Sequence, residues 1–495
     1  MSEEYYIYDV IVIGAGTGGL VSASYLARLG LKVLLVDKNN ALGGECLHYG
    51  CVPSKKLISI SKKIKNLKES QKFIANNPNI KGANSDDNSQ AVVDFSKVIK
   101  EVKDTIQQVQ KHESLELFVN YGCDILLQEA QFIGPNTIAV GSKIVIGKKF
   151  IIATGSRAHI PDIEGIDKVP YYTNESILKL KKLPKQVVII GAGPIGIEYA
   201  QIFTRLGSKV IVIETLDRIL PGFDKEQTST LEKKLQEEGI EFYINYQPVE
   251  VGRVINRDEN LNVKVKIINN INNSEKELLS DCLFIAAGRK PNVDNLSLDN
   301  AKVNYSPHGI FVDSRLRTNI KHIYALGDVT NNPLKFTYVA GNQAGILIKN
   351  IAFKIPVKVK NNLIPIVVYS DPELVKVGIT KTDAEIDKIK CQEIVVPLKD
   401  LDKAIIDEAT EGSLKLVVKN KKIIGASILA PNASEMIPFL IHLIDNKYTV
   451  DVLFNIIYPY PTISEMFQKA SLANYESLMF NAFSKSLVKF LNKYF

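Results

Sequence analysis

No stretch of the 495-residue sequence is apolar for long enough to cross a bilayer, and Met1-Ser2-Glu3-Glu4 supplies neither the basic nor the apolar region of a secretion signal. Both absences lead to the expectation of a cytoplasmic protein, a setting in which a disulfide is more often catalytic than structural. A dense basic block is also missing. The formal charge of +7 comes from lysines scattered along the whole length, which disfavours nucleic-acid binding. The six histidines (His48, His112, His159, His308, His322 and His442) form no ligating cluster, so each is read as structural or surface and no bound metal is expected. Cys123, Cys282 and Cys391 are isolated, so there is no second cysteine pair of the kind a zinc site needs. A 45% hydrophobic and 23% charged composition is that of an ordinary globular protein, long enough for about two to four domains.

Against this background, the run Gly43-Gly44-Glu45-Cys46-Leu47-His48-Tyr49-Gly50-Cys51-Val52-Pro53-Ser54-Lys55 stands out. Its glycines let the backbone turn tightly against a flat ligand, and Pro53 suits the first turn of a helix starting near Cys51. Unpaired N–H groups and the helix dipole favour a thiolate there. The pair reads as a reversible disulfide, with an incidental pair or half of a zinc site as the alternatives.

An internal repeat is the strongest signal along the chain. Val10 to Ile13 reads as a buried parallel strand, followed by Gly14-Ala15-Gly16-Thr17-Gly18-Gly19, a helical pattern, and a strand from Lys32 to Val36 ending at Asp37. The same order returns in Val187 to Ile190, Gly191-Ala192-Gly193-Pro194-Ile195-Gly196, a helix, and Lys209 to Ile213 ending at Glu214. In both copies the acid lies 23 positions after the first glycine (37 minus 14; 214 minus 191). Glycines that admit a pyrophosphate at a helix N-terminus, with an acid placed for ribose hydroxyls, predict two dinucleotide sites.

The polar stretches Gln71 to Gln90 and Asn269 to Asn273 read as surface loops. Ile151 to Ser156 and Phe284 to Arg289 are strands running into glycine, and Ile323 to Val329 delivers Asp328 beyond a strand end, where ligands bind in open α/β sheets. After about Val359 short strands such as Leu414 to Val418 and Ile423 to Ile428, then helices, suggest a separate α+β domain.

These residues resemble the class I pyridine nucleotide-disulfide oxidoreductases, the family of dihydrolipoamide dehydrogenase, glutathione reductase and mercuric reductase. The resemblance rests on the Cys46 to Lys55 run, the paired glycine motifs, Ala287-Gly288-Arg289-Lys290-Pro291-Asn292, Gly327-Asp328 and Pro459-Tyr460-Pro461-Thr462-Ile463-Ser464-Glu465. Gly43-Gly44-Glu45-Cys46 and Gly193-Pro194-Ile195-Gly196 look most like mercuric reductase-like members. The fold it implies is α/β, with two Rossmann-like dinucleotide-binding domains and a C-terminal α+β dimerisation domain. Residues 1–155 and 285–358 would form a discontinuous FAD-binding domain, 156–284 the NAD(P) domain and 359–480 the dimerisation domain of a homodimer, whose tail completes the partner's active site. Gly14, Gly16, Gly19, Asp37, Thr154, Gly155 and Asp328 would then hold FAD. Gly191, Gly193, Gly196, Glu214 and Gly288 would lie on the nucleotide side. Lys55 and Glu198 match an ion pair beside the flavin, Cys51 the thiolate nearest it, and Cys46 the thiol that meets the acceptor. Glu214 should repel a 2′-phosphate, favouring NADH over NADPH, although Arg218 stands nearby.

One departure bears on the acceptor. The residue before Pro-Thr is a histidine in dihydrolipoamide dehydrogenase and glutathione reductase, held by a glutamate five positions on; here Glu465 is present but Tyr460 replaces the histidine. A phenol with pKa about 10 is ionised only to roughly a thousandth at pH 7, against an imidazole near 6.5. The tail Leu491-Asn492-Lys493-Tyr494-Phe495 lacks the cysteine pair of mercuric reductases, and no N-terminal metal-capture domain is recognised. The expected function is transfer of electrons from NADH to a metal ion or quinone. The alternatives are a dihydrolipoamide dehydrogenase-type disulfide reductase and a slow flavoprotein that senses redox state. Residues 481–495 form a basic amphipathic helix, with packing on the dimer as the plainer reading and contact with an anionic membrane as the other.

Overall fold

The computed structural model describes residues 6–73, 93–255, 261–360 and 363–494. Most of the polar stretch from Gln71 to Gln90 lies outside these residues, whereas Asn270 to Asn273 lie at the turn between two strands. Among the described residues there are four sheets of four or five strands, and three of them set out the plan of the chain. The first is parallel, in the order Ile323–Ala325, Phe150–Ile152, Val10–Ile13, Val33–Val36 and Cys123–Leu126. Its strands read VIVI and VLLV because both faces are covered, and every one of those eight side chains is buried.

The second sheet repeats the plan with Ile240–Ile244, Lys209–Glu214, Gln186–Ile190 and Cys282–Ile285, again all parallel. Each central strand feeds a glycine turn and then a helix, Thr17–Arg28 in the first unit and Pro194–Leu206 in the second. The helix Cys51–Ser70 packs on Pro194–Leu206, and Leu57, Ile197, Phe203 and Phe284 share one core. That core fixes the turn carrying Cys46 and Cys51 relative to the second glycine unit.

The third sheet is antiparallel: Ile366–Val368, Glu373–Gly378, Lys422–Ala430, Ser413–Lys419 and Gln392–Pro397. The edge strand Gln392–Pro397 alternates, burying Ile394 and Val396 while Val395 faces solvent, the pattern of a sheet packed on one side. The helices Ala433–Asp445 and Glu465–Met479 cover that side through Ile437, Leu440, Met466 and Phe467.

Candidate functional site

The two glycine turns are built alike. Gly14 and Gly191 take φ of +107° and +104°, and a Cβ on either would lie 2.3 Å from the Ala153 carbonyl oxygen or 2.5 Å from that of Ala286. A Cβ at Gly19 or Gly196 would strike the carbonyl of Gly14 or Gly191 at 1.8 and 1.9 Å, so these glycines let each helix approach its strand. The middle glycines differ: around Gly16 and Gly193 an added Cβ meets nothing within 4 Å. They are the N-caps of their helices, and neither helix has a side-chain cap. Open space in front of uncapped N–H groups fits a pyrophosphate in both units.

The acids are anchored at the same place. Ala15 N–H donates to Asp37 Oδ2 at 2.6 Å and Ala192 N–H to Glu214 Oε2 at 2.8 Å. Arg218 turns away to donate to the Pro221 carbonyl at 2.7 Å. Gly155 and Gly288 follow the ends of strands and also face open space. Asn292 braces the first of these turns: it accepts from the Thr154 hydroxyl through its carbonyl at 2.8 Å, donates its side-chain amide to the Thr154 carbonyl at 2.9 Å and its N–H to the Gly155 carbonyl at 2.9 Å.

The helix Cys51–Ser70 begins at the second cysteine, and Cys46 sits on the short helix Gly44–His48 just before it. Both are free thiols. Hydrogen bonding from Cys46 pulls the Cys51 thiol down to about 6, against the opposing effect of burial and with help from the Thr337 hydroxyl and the charge of Lys55. The same pairing pushes the Cys46 thiol up. The sequence points to the helix start as a source of the thiolate, and the structure adds the neighbouring thiol, the first of the groups that act on Cys51. Thr337 Oγ1 lies 3.3 Å from Cys51 Sγ. One turn on, Lys55 Nζ is 2.7 Å from Glu198 Oε2, over the ring of Tyr369 at 4.3 Å, and the other oxygen of Glu198 accepts from Tyr369 N–H at 3.1 Å. The structure thus brings together Cys46, Cys51, Lys55 and Glu198 from separate units.

A second ion pair has no counterpart in the sequence reading. Arg289 grips Glu45, the residue before Cys46, with both terminal nitrogens, one of them at 2.7 Å, while Asn174 donates to the same carboxylate at 2.7 Å. Its Nε donates to the Ser156 hydroxyl at 2.8 Å, which donates to Asp328 Oδ2 at 2.6 Å. Burial holds the Glu45 carboxyl above its ordinary range and the guanidinium offsets part of that. Arg289 stands in one of the family-like motifs, but 244 positions separate the partners. Arg289→Met should leave a half-buried carboxylate without its cation and lower stability by about 1–3 kcal/mol, read from urea unfolding of the flavin-loaded protein.

Within one chain Tyr460 and Glu465 are both held by partners other than the cysteines. Tyr460 is 71% exposed and donates to Asp402 Oδ2 at 2.7 Å, which pushes its pKa up. Glu465, in the first turn of its helix, accepts from Thr462 N–H at 3.0 Å, so its carboxylate serves the local turn rather than residue 460. Among the described residues no hydrogen bond joins either to Cys46 or Cys51 within one chain.

Residues 8–344 match the model of the pyridine nucleotide-disulphide oxidoreductase family, and residues 364–471 match that family's dimerisation domain. The chain belongs to the pyridine nucleotide-disulphide oxidoreductases. It is 32% identical over 473 residues to a mercuric reductase of Bacillus cereus, covering 95% of this chain and 72% of that protein. It is equally 32% identical to a dihydrolipoyl dehydrogenase of Geobacillus stearothermophilus, covering 94% and 95%. Among solved structures, the Cu(II) complex of the HOCl-induced flavoprotein disulfide reductase RclA of Escherichia coli aligns with a TM-score of 0.80 at 27% identity over 93% of this chain and 98% of that one. The oxidoreductase family uses FAD and a pyridine nucleotide, and its dimerisation domain supports a homodimer. Both glycine turns of this oxidoreductase fall within the first match, and the antiparallel sheet within the second.

Proposed function

We propose that this oxidoreductase passes electrons from NADH, through FAD and the Cys46–Cys51 pair, to a soft metal ion or a quinone. The observation that carries the reading is Tyr460: an exposed phenol whose proton is committed to Asp402 stands where related disulfide reductases carry a base. In support, mercuric reductases are among the relatives and RclA was solved as a Cu(II) complex. The dihydrolipoyl dehydrogenase likeness, equal in identity, favours a dithiol acceptor as the second reading.

Gly14, Gly16, Gly19 and Asp37, with Thr154, Gly155 and Asp328 alongside, would hold FAD, and Gly191, Gly193, Gly196 and Glu214, with Gly288 nearby, would hold the nicotinamide nucleotide; when bound, the flavin would take two electrons from the nicotinamide. The chain's own groups do the rest. Lys55, held by Glu198, keeps a fixed positive charge beside Cys51. In the dithiol state Cys51 carries the thiolate and Cys46 the proton. Delivery of two electrons closes the S–S bond and releases the Cys46 proton. A divalent metal ion takes the electron pair alone and the Cys46 proton goes to solvent, whereas a quinone also takes two protons, one of them that released by Cys46 and the other from solvent. Neither acceptor needs a thiol deprotonated by residue 460.

The test compares kcat/KM for Hg(II) or a benzoquinone with that for lipoamide, using NADH throughout; preference for lipoamide would sink the proposal. Nucleotide choice has its own check. Glu214→Gln removes the charge while keeping one oxygen, which can accept from either the Ala192 or the Leu216 N–H group but not from both. The kcat/KM preference for NADH over NADPH should narrow by about tenfold, the worth of roughly 1.4 kcal/mol of repulsion. Faster wild-type turnover with NADPH would show instead that Arg218 governs the pocket.

A further inference from the structure

The last helix, Ala482–Tyr494, buries none of its side chains in the chain. At 100° per residue, Phe483, Leu487, Phe490, Leu491 and Tyr494 fall within an arc of about 100°, and Lys485, Lys489 and Lys493 fall on the opposite side. Phe483 is 75% exposed and Phe490 55%, and the preceding Phe480 extends the apolar face. A helix of 13 residues is marginal in water by itself, so this one needs a surface on which to bury that face.

Charge selects the surface. No Asp or Glu occurs between Phe480 and Phe495, so every charged side chain of the helix is a lysine. A net formal charge of +7 gives a second copy of the chain no overall attraction for this lysine strip, and the dimerisation match ends at residue 471, before the helix begins. Anionic lipid attracts it. No helix among the described residues is long and apolar enough to cross a membrane, so the geometry is that of a helix lying in the interface. We propose that Ala482–Tyr494 docks the enzyme on an anionic membrane surface, with its aromatic and leucine face in the headgroup boundary and its lysines toward the lipid phosphates. This assignment is independent of which acceptor the enzyme reduces.

The experiment uses the full-length, flavin-loaded protein and sedimentation with vesicles of phosphatidylcholine alone or of phosphatidylcholine and phosphatidylglycerol in equal parts. Binding to the anionic vesicles should exceed binding to the neutral ones by at least about tenfold and weaken as salt is raised. The double variant Phe483→Glu with Leu487→Glu, and the triple variant Lys485→Glu, Lys489→Glu, Lys493→Glu, should each lose anionic-vesicle binding while NADH-dependent quinone reduction and the oligomeric state by light scattering stay unchanged. Absence of wild-type binding, or binding that survives both variants, overturns the assignment. So does conversion of either variant to monomers, which would show that a second copy covers the face.

Discussion

Cys51→Ser removes the long-wavelength absorbance expected of a thiolate lying against bound flavin and lowers dithiol-dependent reduction to background, a loss of at least about a thousandfold on the scale of deleting an essential nucleophile. In the wild-type dithiol form that absorbance has a pH signature. Because the Cys51 pKa is lowered from 9.0 to about 6, its thiolate is present above that value and is lost as pH falls through it. The band should therefore fade by half near pH 6. Cys46→Ser keeps a hydroxyl to donate and should show the thiolate band even in the oxidised flavoprotein. Cys46→Ala removes the largest cause of the shift and should move the midpoint upward. A band that titrates near 9, or a flavin spectrum indifferent to all three substitutions, would place the cysteines away from the cofactor.

Tyr460→His raises lipoamide reduction by about 10²- to 10⁴-fold, the range of a positioned general base, from a wild-type rate that is low. The phenol in its place is exposed, and Asp402 pushes its pKa further from neutrality. Glu465 uses one oxygen on Thr462, leaving the other to orient an imidazole. Tyr460→Phe should leave quinone reduction nearly unchanged, since electrons reach a quinone without that hydroxyl. Steady-state kcat/KM with lipoamide and with a benzoquinone, measured on the same three proteins, decides it: a wild type already fast with lipoamide would require a base that residue 460 does not provide.

The parts of this molecule that could be read from the sequence are those whose cause is local. Gly14 and Gly191 are glycines because of a positive φ and a carbonyl 2.3 to 2.5 Å from where a Cβ would sit, and each unit of strand, turn, helix and acid lies within a short segment that its residue pattern announces. The Lys55–Glu198 pair was legible for a related reason, as each residue sits at a fixed offset from its own motif, and the resemblance supplied the meeting of the two. Glu45–Arg289 and Cys51–Thr337 join positions 244 and 286 apart, and only the packing of the sheets decides that they meet. The Glu465 contact is a different case. Thr462-Ile463-Ser464-Glu465 carries the spacing of a capping box, so a local signal for its hydrogen bond to Thr462 was there to be read. The apolar face of the last helix was equally plain from its spacing, but spacing says nothing about what covers it.

The most direct measurement is one anaerobic turnover. Flavin-loaded enzyme reduced with one equivalent of NADH is mixed with Hg(II), a benzoquinone, lipoamide or glutathione disulfide, and the return of oxidised flavin absorbance is followed in time. Reoxidation should be fast with Hg(II) or the quinone and slow with both disulfides, and in Cys51→Ser the metal-dependent phase should vanish. Fast reoxidation by lipoamide, with Hg(II) and the quinone slow, contradicts the proposed route of the electrons.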